Sequence, residues 1–350
     1  MLFDAAKVVV GTSAFGGLYE STSEETCFSA VARCLELGWQ KFDTAPHYGL
    51  GLAEERLGRA LARALDDESA LACYTKVGRV IKERGATGDE RDVDVGNLPE
   101  RSIFKDAPRD RYAVLDLSAA GVRESLAASR ARLGPRARVA GVRVHDPELT
   151  TKLEAQAFPG AFEALRSEQV PEVSIGTNCV RVARRALDHV DAILLANRFH
   201  LLDQSGAELL RECQRRSKPV HLAGVYASGI LAGGDTYGYE TAPAAVVAHA
   251  RRWTDFLRAE YPALSLKDVA LALAFLPVAV THVVIGLRSE AEVDDTHATL
   301  QRLSSHDPRL WFELFQRARD VGGLLDPVAF DLAIRPRFSS EDEGANTSSS

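Results

Sequence analysis

Short apolar runs recur along this chain. Between them lie longer stretches whose apolar residues return every third or fourth position. The first kind of pattern reads as buried strand and the second as amphipathic helix. The apolar runs predict strands at 8–10, 39–42, 71–75, 139–144, 173–175, 192–195, 220–223 and 282–285. Helices are expected in turn at 24–37, 53–65, 120–133, 162–168, 180–187, 207–215, 244–259 and 291–303. Local signals agree with these bounds. Ser23 can cap the first helix, Gly38 can stop it, and Gly134-Pro135 closes the third. Short strands separated by amphipathic helices argue for a parallel sheet covered by helices. Eight such repeats predict one α/β domain, a closed (β/α)8 barrel rather than an open sheet.

Two connections, 78–115 and 225–243, are too long to be mere connectors. Both follow strands, so both are expected at the C-terminal face of the barrel. An amphipathic segment at 310–321 predicts one more helix. The barrel domain is expected to fill 1–335, and the polar tail 336–350 is expected to be disordered.

Composition narrows the function. The chain has 350 residues, 46% hydrophobic and 26% charged, the balance of a soluble globular protein. Net charge is -7, from 42 basic and 49 acidic residues, with no basic run. Nucleic acid is therefore not expected as a partner. No window has the apolar length of a membrane span, and the first residues lack a signal-peptide pattern. Five scattered cysteines without a C-x-x-C pair argue against structural zinc and a disulfide framework. These readings predict a cytoplasmic protein without a metal. Cys27 and Cys34 share a helix face and read as packing thiols.

The candidate chemistry lies at strand ends. Asp43 and Tyr48 follow the second strand, Lys76 follows the third, and His145 ends the fourth. Side chains at the C-terminal ends of barrel strands converge on one face. A lysine beside a phenol favours the phenolate, and an aspartate can hold the lysine. Each residue alone has an ordinary explanation, such as a cap, a solvated charge or a turn histidine. An acid, a phenol, an amine and an imidazole together point to proton transfer.

The surrounding residues carry a resemblance. Gly11-Thr12 is followed by Phe15-Gly16-Gly17-Leu18. Asp43-Thr44-Ala45-Pro46 runs through Tyr48-Gly49 to Glu54-Glu55-Arg56-Leu57-Gly58. Thr75-Lys76-Val77-Gly78-Arg79 and His145-Asp146-Pro147 come next. In order and spacing the chain resembles the aldo-keto reductases over nearly its whole length. That resemblance implies that Tyr48 transfers the proton, that Lys76 and Asp43 tune it, and that His145 orients the reacting oxygen.

The resemblance also implies cofactor positions. Thr177-Asn178 stands where the family grips the nicotinamide carboxamide. Ala196 replaces the family's usual glutamine, so one hydrogen bond to that carboxamide is expected to be missing. Phe199 stands for an aromatic that stacks on the nicotinamide. The loop Val225-Tyr226-Ala227-Ser228-Gly229-Ile230-Leu231 resembles the belt over the pyrophosphate, with Ser228, Gly229 and Leu231 as candidate contacts. After the last strand, Gly286 and Glu292 stand where NADP-using relatives place cations. A carboxylate repels a 2′-phosphate but accepts from a ribose hydroxyl, so NAD is expected. Arg288 keeps NADP open.

Asn197-Arg198-Phe199, Leu201-Leu202-Asp203-Gln204 and Gly224-Val225-Tyr226 resemble the aldose and pyridoxal dehydrogenase branch. The function so implied is NAD-dependent oxidation of an aldose at C1 to the aldonolactone, with Tyr48 as general base. The sugar would be of the L-fucose, L-galactose or D-arabinose type. One alternative is an NADPH-dependent carbonyl or pyridoxal reductase, with Tyr48 as acid. Another is a non-catalytic, cofactor-binding regulatory subunit. The four polar residues and a barrel starting near Val8, with no arm before it, argue against that. The expected partner is a small sugar or aldehyde, and the expected state is a monomer or homodimer.

Overall fold

A computed structural model of the protein describes residues 2–66, 68–84, 93–94, 98 and 101–338. Its barrel strands are β1 (Val8–Gly11), β2 (Lys41–Asp43), β3 (Leu71–Val77), β4 (Ala137–His145), β5 (Val173–Thr177), β6 (Ala192–Ala196), β7 (Val220–Ala223) and β8 (Val280–Gly286). They close in the order β1-β8-β7-β6-β5-β4-β3-β2, so chain neighbours are sheet neighbours all the way round. This is the predicted (β/α)8 barrel. Parallel register sets Gly11 beside Asp43, Asp43 beside Tyr74, Lys76 beside Arg143, and His145 beside Gly176.

The chain divides into two compact units. One comprises Val8–Leu194 and Val284–His297. In it, Glu54 is fully buried on the helix Leu52–Ala64, where it accepts from Thr75 Oγ1 and, at 2.7 Å, from Arg132 Nε. Gly58 lies on the same helix. A Cβ there would meet the carbonyl oxygens of Arg132 and Leu133 at 2.6 Å, so the glycine permits close helix packing. The other unit comprises Met1–Lys7, Leu195–Val283 and Ala298–Ser350. Its core includes Trp253, whose Nε1 donates to Leu201 O at 3.1 Å. Phe3 packs edge-on against Phe275 and Trp311.

The structure departs from the sequence pattern in several places. Segment 78–115 is not only loop: Arg79–Glu83 and Arg111–Leu115 pair as antiparallel strands. Segment 225–243 contains a 3-10 turn, Ala227–Ala232, and a short ribbon, Thr236–Tyr237 with Glu240–Thr241. An unpredicted helix spans Leu266–Phe275, where a Ser265–Asp268 capping box starts it. Every residue from Asp268 to Phe275 is buried, so this helix has no polar stripe for a periodicity reading to find. The added helix is present at Pro308–Asp320, with Asp307 as its cap. Of the expected tail, Arg335–Arg337 form a 3-10 turn, and residues 339–350 lie outside the described residues. No helix among the described residues is long and apolar enough to cross a membrane, and those residues hold no cluster suited to a metal ion.

Candidate active site

Asp43 ends β2, Lys76 lies near the end of β3, and His145 ends β4. Tyr48 stands in the turn between β2 and the helix Leu52–Ala64. Strand alternation turns Lys76 inward between Thr75 and Val77, and the lysine is almost wholly buried. A charge so placed needs a partner. Lys76 Nζ forms a short ion pair with Asp43 Oδ1 and donates to Thr44 O at 2.7 Å. Its ammonium lies 4.7 Å from the centroid of the Tyr48 ring. The Tyr48 and His145 rings stand perpendicular, 6.3 Å apart. All four residues singled out in the sequence therefore meet at one point.

Two arginines that the sequence reading passed over complete the arrangement. Arg143 is fully buried, and its Nε donates to Asp43 Oδ2 at 3.0 Å. Arg79 donates from Nε to Asp94 at 2.7 Å, and its Nη1 lies 3.3 Å from His145 Nδ1 and 3.4 Å from Asp146 Oδ2. Arginine can only donate, so the Nδ1 of His145 must accept and the proton sits on Nε2. A strand-level signal existed for Arg143. It is a lone charge between Val142 and Val144, two residues before His145 and so on the same face.

Burial adds a contribution that the strand-end pattern does not carry. Burial, then the Asp43 and Asp146 carboxylates, push the Tyr48 phenol well above its ordinary pKa, against the pull of Arg143 and Arg79. Burial is the largest of these causes, so the phenol stays above its ordinary value even with the Lys76 ammonium 4.7 Å from its ring. Burial also depresses the Lys76 ammonium, with Asp43 opposing that shift. His145 is held well below its usual pKa by burial and by Arg79, Lys76, His47 and Arg143, so its imidazole is neutral. Asp146 adopts a left-handed backbone, φ 46, and burial raises its carboxyl to about 6.

The candidate cofactor residues divide between the two units. With the four residues above, the first unit holds Thr177, Asn178, Gly286, Arg288 and Glu292. The Thr177 hydroxyl accepts from Cys179 N at 2.9 Å and donates to Glu148. Gly286 is exposed, and a Cβ there would meet only Ser13 Oγ, at 4.0 Å, so space is open above it. Arg288 is engaged: its guanidinium donates to Leu18 O at 2.7 Å and pairs with Glu20. Glu292 accepts from Arg288 N at 2.7 Å, while its own N–H donates to Ser289 Oγ at 3.3 Å. Its carboxylate therefore sits on the N-terminus of the helix Glu290–Ser305, where a negative charge is favourable.

Phe199, Ser228, Gly229 and Leu231 belong to the second unit. Phe199 is fully buried. Ser228 and Gly229 have positive φ, and the N–H groups of Gly229 and Leu231 both donate to Tyr226 O, at 2.9 and 3.2 Å. Those two groups are thus committed within the turn rather than free for phosphate. Open space at Gly286 and a carboxylate, rather than an unengaged cation, at the following helix start fit a nicotinamide dinucleotide.

Comparison with known proteins agrees with this geometry. The Aldo/keto reductase family profile matches residues 7–311, and the chain belongs to that family. It is an NAD(P)-dependent oxidoreductase. It is 34% identical to a D-threo-aldose 1-dehydrogenase of a Pseudomonas species over 232 residues, 63% of this chain and 66% of that protein. It is 31% identical to a pyridoxal 4-dehydrogenase of Microbacterium luteolum over 303 residues, 81% of this chain and 86% of that protein. Among solved structures, the fold resembles that of the glycerol dehydrogenase AKR11B4 from Gluconobacter oxydans. The TM-score is 0.62 at 18% identity, over 92% of this chain and 94% of that one.

The contact at Nδ1 makes a prediction. Nitrogen NMR of His145 should show the Nε2–H tautomer in the wild type, with the Nδ1–H form appearing in Arg79→Met. An Nδ1–H imidazole in the wild type would contradict the contact.

Proposed function

We propose that this protein oxidises an aldose at C1 to the aldonolactone with NAD as hydride acceptor. The observation that carries the reading is the buried Lys76–Asp43 pair beneath the Tyr48 ring, with a neutral His145 beside it. Similarity to a D-threo-aldose 1-dehydrogenase supports an aldose as substrate, and the sequence resemblance suggests one of the L-fucose, L-galactose or D-arabinose type. Tyr48, as phenolate, takes the proton of the anomeric hydroxyl. The Nε2–H of His145 donates to that same oxygen and holds it. Lys76 stabilises the phenolate, and Asp43 keeps Lys76 in place. When bound, the nicotinamide supplies the acceptor for the hydride leaving C1. Because burial and two carboxylates raise the phenol, its phenolate fraction grows from neutral to alkaline pH, and oxidation grows with it.

The same raised phenol favours a second reading. A protonated Tyr48 is ready to act as acid, which suits reduction of a carbonyl or of pyridoxal, and the pyridoxal 4-dehydrogenase relative is consistent with that substrate. Steady-state assays of aldose oxidation with NAD and NADP, and of pyridoxal turnover with NADH and NADPH as well as NAD and NADP, separate the two. Aldose oxidation with NAD supports the proposal. Turnover of pyridoxal but of no aldose overturns it.

Tyr48→Phe should lower kcat for the best substrate by about 10²–10⁴-fold, since a general acid–base group contributes on that order, and nucleotide binding should persist. A near-normal kcat would remove Tyr48 from the chemistry.

NAD is favoured at the adenosine end because Glu292 presents a carboxylate there and Arg288 is already paired with Glu20 and Leu18 O. A missing charge-assisted hydrogen bond is worth roughly 1.5–3 kcal/mol, so NAD should bind about tenfold or more tighter than NADP. Glu292→Arg should shift the ratio of dissociation constants towards NADP. Tighter binding of NADP than NAD by the wild type would contradict this assignment.

A further inference from the structure

Among the described residues, Arg143 is a buried charged group of the barrel interior that the proposed mechanism does not use. Arg143 lies in the middle of an inward-facing row on β4, with Gly141 before it and His145 after it. Its side chain is wholly buried. Three elements converge on it. From β2, Asp43 Oδ2 accepts from Nε at 3.0 Å. From β5 and the residues just before it, Ser174 Oγ accepts from Nη1 at 3.1 Å, and Glu172 Oε1 lies 3.6 Å from Nη1. From β3, the Tyr74 ring lies under the guanidinium, 4.7 Å from its carbon to the ring centroid. Gly141 makes room for that ring, since a Cβ there would meet Tyr74 Cδ1 at 2.8 Å.

A wholly buried guanidinium is costly unless its hydrogens and charge are matched. Here they are matched by the same carboxylate that holds Lys76. Lys76 takes Oδ1 of Asp43 and Arg143 takes Oδ2. We propose that Arg143 is a positioning residue of this site: by fixing the second oxygen of Asp43 it prevents the carboxylate from turning, keeps Lys76 beneath the Tyr48 ring, and adds a second positive charge behind the phenol. The inference rests on the reading of Tyr48 as the group that moves the proton.

Charge bookkeeping supports this role. The charged or titratable groups facing Tyr48 are Asp43, His47, Lys76, Arg79, Arg143, His145 and Asp146. Asp43 and Asp146 raise the phenol, whereas Arg143 and Arg79 lower it. Asp43 alone would hold Lys76 at the expense of the phenolate. Arg143 offsets part of that charge and leaves the lysine's anchor intact. A purely structural arginine would affect folding, whereas this one should also move the ionisation of Tyr48.

The test compares pH profiles of kcat/KM for aldose oxidation in the wild type, Arg143→Met and Arg143→Lys. In Arg143→Met the alkaline rise should move up by about one pH unit, with kcat at neutral pH falling by about tenfold and KM changing less. Arg143→Lys, which keeps the charge, should restore much of the position of the rise. A rise that stays in place in Arg143→Met overturns the proposal. If Arg143→Met folds poorly, Arg143→Met/Glu172→Gln removes one charge of each sign, and the same shift is expected of it. Should the wild type oxidise no aldose, the proposed function fails but this inference can still be read. The ultraviolet titration of the protein minus that of Tyr48→Phe isolates the Tyr48 phenol. Its midpoint should be higher in Arg143→Met, and an unchanged midpoint overturns the role.

Discussion

One buried carboxylate organises the interior of this site. Asp43 is nearly wholly buried and is held by two cations, Lys76 at one oxygen and Arg143 at the other. A charge removed from water must be paired and hydrogen-bonded, and both conditions are met only if β2, β3 and β4 keep their register. The register places Asp43 beside Tyr74 and Lys76 beside Arg143. Strand pairing and charge pairing therefore specify the same arrangement. The Tyr48 phenol inherits its environment from that cluster, because the charges that shift it belong to the cluster or border it.

The cluster around Tyr48 and the start of the helix Glu290–Ser305 draw on different physics. Around Tyr48 and His145, burial dominates: it raises the phenol and depresses the imidazole, leaving both neutral at neutral pH. At the start of the helix Glu290–Ser305, short-range capping dominates. Glu292 satisfies the N–H of Arg288, and Arg288 itself spans to Leu18 and Glu20. A carboxylate that completes a helix cap also withholds that helix terminus from a phosphate.

Much of this was legible in the chain. Apolar runs located all eight barrel strands because parallel barrel strands are buried on both faces. The ends of β3 and β4 were read short, since Lys76-Val77 and Ala137-Arg138 place polar groups within strands. Asp43, Tyr48, Lys76 and His145 were recognisable from spacing and resemblance. Arg143 showed only as a lone charge within an apolar strand, because its partner Asp43 lies 100 residues earlier and only the folded sheet joins them. The net shift of Tyr48 was not legible for a related reason. A neighbouring lysine can be read from sequence, whereas desolvation and the carboxylates of Asp43 and Asp146 belong to the folded chain. The burial of Phe199 is likewise a property of the fold.

The central claim is that a lysine-supported phenolate at Tyr48 takes the substrate proton. The most direct measurement is the pH dependence of kcat/KM for aldose oxidation in the wild type and in Lys76→Met. The account predicts a rise from neutral towards alkaline pH in the wild type. It predicts that the rise moves to higher pH when the ammonium 4.7 Å from the Tyr48 ring is removed. A flat wild-type profile with chemistry rate-limiting, or an identical rise in Lys76→Met, would contradict it.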